Sequence, residues 1–483
     1  MTLERIVIWP LLALVMLAPL PFGSVESWAW GPLGLGVAVV LAGYALAQIA
    51  LQSEPPVPAR LIRVPLVLYG LVGLWIVVQM VPFTPTAWHH PIWRETAAAL
   101  GEAVPGRITV APYLEGSALA RYLTYGGIFW LSLQCCRRRE TARHVFYAVA
   151  LTGALYAIYG IYAHLSGEMK ILWFKKEWYV FSLTSTFVNR NSYATFAGIG
   201  LVVVTALFTR RMLRVRAEGE GRRERMRLLI QNLAERDWVL LLLWAIIATA
   251  LFLTKSRAGL VSTLIGLATF AAIIGLSPSV SARAGRMAAI AIVAIGLGFL
   301  FVSGEAVTKR LLQTSVGDEA IRRSLYSMTL EAIGDAPLLG LGYGSFERVF
   351  HLYRGASEPF RIRSEKAHDT YLENAMELGL PAAGALFAAV GTLVVLCVMG
   401  VRRRRRDVIY PAAGVAVTVL VGVHSTIDFS LQIPAVTATY SLLLGTACAQ
   451  CWSSRRDLSG GPRRRDAGAA EKRPKPTGDQ SVE

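Results

Sequence analysis

The chain has 483 residues, of which 54% are hydrophobic and 17% charged, against about 25% charged in a typical globular domain. With a mean hydropathy of +0.47 and five cysteines, it is not a disordered chain, a disulfide scaffold or an ordinary cytosolic enzyme. The formal net charge of +17 leaves three readings open: a nucleic-acid partner, an anionic membrane surface, or a topology signal.

A helix needs about twenty apolar residues to cross a bilayer. Twelve stretches are candidates: residues 6–22, 28–50, 64–82, 118–136, 144–164, 192–208, 238–254, 258–276, 287–303, 379–400, 408–427 and 433–452. The expected fold class is therefore an all-α polytopic membrane protein with about twelve transmembrane helices. The first stretch has no small-x-small cleavage site after Phe22 and reads as an uncleaved anchor. Residues 1–452 form the membrane domain, and a large, partly helical loop (303–378) lies within it. The Arg-rich loop 209–236 reads as an amphipathic helix on the cytoplasmic leaflet, and the polar tail 453–483 as disordered. No internal repeat of 20–50 residues is visible.

Alternate loops carry the basic clusters: Arg137–Arg139, the run from Arg210 to Arg236, Arg283 with Arg286, Arg402–Arg406, and the tail. Placing these inside puts the whole +17 on the cytoplasmic side, with both termini, and leaves the outer side neutral. The charge then records topology, and no nucleic-acid partner is expected. The five cysteines fall at inner span ends, and Cys448-Ala-Gln-Cys451 reads as small apolar packing.

Three outer loops are long enough to carry function: 83–117, 165–191 and 303–378. In the last, 303–318 reads as a mobile exit and 321–333 as a helix. A turn with three glycines follows from Asp335, then a short helix or strand over 346–353 and a basic stretch with Arg361, Arg363 and Lys366. His368–Gly379 reads as helical, with Asp369 as a plausible N-cap.

Four motifs could carry chemistry. Ser185–Ser192 places Asn189, Arg190 and Asn191 where a helix enters the membrane. Free N–H groups and a forked guanidinium there suit an anion; the alternative is an interfacial cap with a snorkelling Arg. Thr254–Gly259 puts Lys255 and Arg257 in a tight outer turn, either for an anion or simply in the headgroup layer. His368 could accept a hydroxyl proton, with Tyr371 and Leu372 on roughly the same helical face, or could be a structural contact. His424 and Asp428, four residues apart, are either an outer-leaflet site element or a buried polar pair ordering helix ends, the second being preferred. His89 and His90 receive no role.

Together these segments resemble the O-antigen ligase and polymerase superfamily of bacterial inner-membrane proteins. Pro21–Trp30 looks like the opening of one branch. Ser185–Ser192 looks like its Phe-x-Asn-x-Asn box, and Thr254–Gly259 like its Ser-Arg-x-Gly turn. His368-Asp-Thr-Tyr-Leu with Glu377–Pro381 looks like its His-Asn-x-Tyr-Leu…Gly-Leu-Pro segment, with Asp369 departing from the usual Asn. The resemblance covers about residues 1–452. It implies a fold similar to the C-type glycosyltransferases and a metal-independent, inverting transfer at the periplasmic face of the inner membrane, with no cofactor. Glycan would pass from an undecaprenyl diphosphate carrier to a sugar or lipid-linked acceptor. Carried over by position, Arg257 and Arg190 would bind diphosphate and His368 would activate the acceptor. Asn189, Asn191, Lys255, Tyr371, Arg361 and Arg363 would support them. A transporter or flippase, which would carry its charges at the midplane, and a non-catalytic assembly subunit are the competing readings.

Overall fold

The computed structural model describes residues 3–167, 169–218, 223, 224, 227, 231, 237–302, 322–354 and 365–452. The expectations for the exit 303–318, for most of the loop 209–236, for Arg361 and Arg363 and for the tail 453–483 lie outside the described residues.

Sixteen helices are described. They are α1 (Leu3–Leu17), α2 (Ser27–Ala50), α3 (Arg63–Met80), α4 (Ile92–Leu100), α5 (Pro112–Cys135), α6 (Arg139–Leu165), α7 (Arg190–Glu218), α8 (Trp238–Leu253), α9 (Arg257–Ile274), α10 (Ala282–Val302), α11 (322–335), α12 (Phe346–Tyr353), α13 (Thr370–Leu378), α14 (Leu380–Arg403), α15 (Ile409–His424) and α16 (Pro434–Ala449). The one sheet among the described residues is a hairpin between α6 and α7, pairing Lys170–Ile171 with Phe174–Lys175.

Each of the twelve apolar stretches falls on a helix, so the all-α class holds. Among the described residues, six helices are long and apolar enough to cross a membrane by length and composition: α2, α3 with its preceding turn, α6, α7, α9 and α14. The structure confirms the helices of the expected twelve spans, not their number as spans. Chain termini and turns cut α1 to 15 residues and α8, α15 and α16 to 16 each. Loss of apolar length also has a chemical cause in α5, which carries Glu115, Arg121 and Gln134.

The helices are not equivalent. In α7, 83% of the apolar window is buried, against 17% in α2, so α7 is the central strut and α2 faces outward. Around α7 pack α6, α8, α9 and α15, while α3, α5, α14 and α16 form the adjoining flank. Small residues permit the closest approach. Gly259 of α9 lies against Ala194 of α7, where a Cβ would have no room.

At the end of the bundle where α7 begins, residues 322–354 and 365–379 fold over the helices. The glycine turn works as a wedge. Gly342 has φ +107, and any Cβ there would strike Thr109. Two buried carboxylates brace the turn from below: Glu115 accepts from the N–H of Tyr343 and Glu377 from that of Phe346, both at 3.1 Å. At the opposite end, Asp407 pairs with Arg210 at 3.0 Å and Arg139 at 3.3 Å. Arg210 and Asp407 are both nearly buried, so Asp407→Ala leaves an unpaired interior cation and should cost about 3 kcal/mol. Thermal unfolding of the purified protein in lipid nanodiscs would show it as a lowered Tm, and the double change Asp407→Leu with Arg210→Met should recover most of the loss.

Candidate active site

Three helices begin at the same place. Asn189 caps α7, accepting from the N–H of Asn191 at 2.7 Å. Ser256 caps α9, accepting from the N–H of Gly259 at 3.1 Å. Asp369 caps α13, accepting from the N–H groups of Tyr371 and Leu372 at 2.8 and 3.0 Å. Each cap satisfies donors that a helix start leaves open and fixes where the first turn points. The expected N-cap at Asp369 is therefore present.

A polar network ties the three starts together. The Asn191 amide donates to Asp428 Oδ2 at 2.7 Å and accepts from the Ser256 hydroxyl at 2.8 Å. Ser430 donates to Asp428 Oδ1 at 3.1 Å, and both Ser430 and Thr195 lie within hydrogen-bond distance of His424 Nδ1. Thr370, the first residue of α13, donates its N–H to the carbonyl of Ser425 at 2.9 Å and its hydroxyl to that of Asp428 at 3.2 Å. Asp428 and His424 are fully buried. The pair read as ordering helix ends does so, and it also joins the motifs. All four segments singled out in the sequence meet here.

The cations sit on the rim of this network. Arg257, the first residue of α9, is exposed and makes no ion pair or hydrogen bond among the described residues. Arg190 opens α7; its guanidinium lies 5.2 Å over the Tyr179 ring and donates to Ser182 at 3.3 Å. Its Nε is buried without a partner among the described residues. Lys255 has φ +55 and donates to the carbonyl of Phe181 at 2.8 Å, so it holds the 170–182 loop in place. Lys176, unnoticed in the sequence, donates to the carbonyl of Ser182 at 2.6 Å, and burial pulls its ammonium down to about 8. The neighbouring helix starts and these cations together raise the local potential.

His368 corrects the sequence reading in one respect. It is not on the helical face of Tyr371 and Leu372, because Asp369 starts the helix one residue later. His368 instead adopts φ +57 in the preceding turn. Its ring meets Phe429 edge-on at 4.8 Å, next to Asp428, and its carbonyl accepts from Tyr326 at 3.3 Å. Glu373 holds this turn from below by accepting from the N–H of Ala367 at 2.8 Å and pairing with Lys366 at 3.4 Å. Tyr371 points away, donating to the carbonyl of Gly422 at 2.9 Å.

A sequence-family model described as O-antigen ligase matches residues 241–387. Over that segment, the chain is similar to O-antigen ligases. The match supports the O-antigen ligase and polymerase family, and it includes α8, α9, the glycine turn, His368 and α13. Asn191, Asp428 and Arg190 lie outside it and are joined to it by the network. The apolar helices and this family together indicate an inner-membrane protein. No curated protein matches the chain.

Two outcomes check the arrangement. The changes Asn191→Ala and Asp428→Ala, measured singly and together by thermal unfolding, should be non-additive by about 1–3 kcal/mol, because each removes the other's buried partner. The braces of the glycine turn set a pH dependence. Burial pushes Glu377 up to about 8, aided by the charge of Glu373, and pushes Glu115 up to about 7. Both folded values lie above the unfolded ones, so the stability is complete at low pH and falls as pH rises from about 4.5 to 8. Glu377→Gln should flatten that slope.

Proposed function

We propose that the protein transfers glycan from an undecaprenyl diphosphate carrier to a sugar acceptor at the periplasmic face, by a metal-independent, inverting displacement. The observation that carries this reading is the Asn191–Ser256–Asp428–Thr370 network. It brings the residues that start α7, α9 and α13, and with them Arg190, Arg257 and the His368 turn, to one end of the bundle.

The chemistry divides between two sides. Charge accumulates on the departing diphosphate in the transition state. Arg257, unneutralised by the protein, and Arg190, held rigid on Tyr179 and Ser182, stabilise that charge. Because Arg190 is fixed before substrate arrives, little reorganisation of that group is needed when the bond breaks. His368, held in its turn by Tyr326, Phe429 and the Glu373 brace, takes the proton from the acceptor hydroxyl as it attacks. Attack from the face opposite the leaving diphosphate inverts the anomeric carbon. Asn189 and Asn191 position the two arginines, and Lys255 and Tyr371 hold the walls. Arg361 and Arg363 complete the proposed set, from a stretch outside the described residues. Both termini lie in the cytoplasm in this reading.

The test is transfer by the purified protein from lipid-linked glycan. His368→Ala should lower kcat by about 10²–10⁴-fold with little change in donor affinity. Arg257→Ala should lower kcat/KM for the donor by about 10²-fold or more. Transfer that survives both changes would overturn the assignment. In cells, loss of the gene should cause free lipid-linked polymer to accumulate if the protein is a ligase, and single lipid-linked repeats if it is a polymerase.

A further inference from the structure

The end of the bundle away from the candidate active site holds a second cluster of cations. α6 and α15 both start there, at Arg139 and Ile409, and neither start carries a side-chain cap. Open N–H groups at two helix starts favour negative charge beside them. The nearby acids are already engaged. Asp407 is shared by Arg210 and Arg139, Asp237 pairs with Arg211, and Glu140 pairs with Arg5 at 2.6 Å. Arg143, half-buried one turn along α6, and Arg214, exposed one turn beyond Arg210, make no ion pair or hydrogen bond among the described residues. The like charges of Arg210, Arg139 and Arg211 all bear on Arg214.

A buried hydroxyl is the second observation. Tyr410, the second residue of α15, is fully buried, with its ring edge-on to Phe146 at 4.8 Å. Its Oη has no hydrogen-bond partner among the described residues, and it lies within electrostatic reach of Arg210, Arg143, Arg214 and Asp407. Buried hydroxyls are almost always hydrogen-bonded. The guanidinium groups around this one can donate but not accept, so they cannot take its proton donor. A phosphate oxygen accepts from a hydroxyl and a guanidinium fork alike.

Apolar surface adjoins the cluster. α8 follows directly on Asp237, the partner of Arg211, and its Trp238, Leu241 and Leu242 are exposed. A tryptophan at the level of the cations with leucines beyond it suits a lipid whose headgroup lies at the arginines. Arg402 and Arg403 differ: they are exposed at the end of α14, away from any buried orphan, and act as plain positive charge. We propose that Arg143, Arg214 and Tyr410, at the starts of α6 and α15, bind the phosphate of an anionic phospholipid from the leaflet at this end, the cytoplasmic one in the topology proposed above.

The test follows thermal unfolding of the full-length protein, stripped of lipid in detergent, with phosphatidylglycerol, phosphatidylcholine or inorganic phosphate added. Phosphatidylglycerol should raise Tm, and native mass spectrometry should show a single molecule retained. Phosphatidylcholine, whose choline offsets the phosphate, and inorganic phosphate at the same concentration should leave Tm unmoved. Arg143→Gln with Arg214→Gln should weaken phosphatidylglycerol binding about tenfold or more, through loss of two charge-assisted contacts. Arg402→Gln with Arg403→Gln removes the same charge outside the cluster and should leave binding unchanged. Tyr410→Phe should raise the Tm of the lipid-free protein, because an unpaired buried O–H is removed, and should reduce the shift that phosphatidylglycerol adds. A residue that only packs would not give those opposite signs. Arg214→Gln alone, at an exposed position, serves if the double variant does not fold. Equal weakening by the two arginine pairs, an undiminished lipid shift in Tyr410→Phe, or an equal shift with inorganic phosphate would overturn the proposal. No outcome depends on glycan transfer, so this reading and the proposed function fail separately.

Discussion

The hydrogen bond from Asn191 to Asp428 is the constraint on which the arrangement depends. Asp428 is fully buried at the end of a bundle whose core is otherwise apolar, where an unpaired carboxylate would cost several kcal/mol. It can stay there only if its acceptor positions are filled. Asn191 fills one and Ser430 another, while the Asp428 carbonyl takes Thr370. Satisfying one buried group thus draws α7, α13 and the α15–α16 turn to a common point. Because Asn191 has a second function on its amide oxygen, Ser256 and α9 come too. The positions of Arg190, Arg257 and His368 follow from this, since each lies within two residues of a member of the network.

Fixing the helix starts is not enough unless the helices are also held close. The contact of Gly259 with Ala194 sets the spacing of α7 and α9, and the wedge at Gly342 seals the 340–346 turn against Thr109. Glu115 and Glu377 then supply acceptors to backbone N–H groups that the turn leaves without helical partners. Burial raises both carboxyl groups above their ordinary range, which lessens the negative charge that this turn would present to an anionic substrate.

Much of this was legible in the sequence, and the parts that were not share a cause. Apolar periodicity located the helices, and polar residues breaking into apolar runs located Asn189–Asn191, Lys255–Arg257 and His368. His424 and Asp428 were singled out by their spacing, but Asp428 lies beyond the end of α15 and the two are linked through Ser430. Thr195, Ser430, Thr370 and Tyr326 were invisible, because a single hydroxyl on an apolar helix carries no signal and its partner can be over two hundred residues away, as with Thr195 and Ser430. Hydropathy alone did not fix the number of spans, for a related reason. Hydropathy reports which residues avoid water, and a short buried helix such as α16 does so among other helices as well as in lipid.

The charge that first marked the chain is distributed with a chemical consequence. At the end away from the site, Asp407 gathers Arg139 and Arg210, and Arg211 finds Asp237 at 3.6 Å, so part of the basic excess there is spent inside the protein. At the site end the pattern reverses. The carboxylates are buried and engaged with backbone donors, while Arg257 is left exposed and Arg190 turns to a ring and a hydroxyl, not to an acid. One exposed guanidinium and one held on a ring and a hydroxyl, beside three helix starts, make this end locally positive. The excess over the whole chain therefore says little about partners. What marks this end locally is that Arg257 and Arg190 face no acidic partner among the described residues.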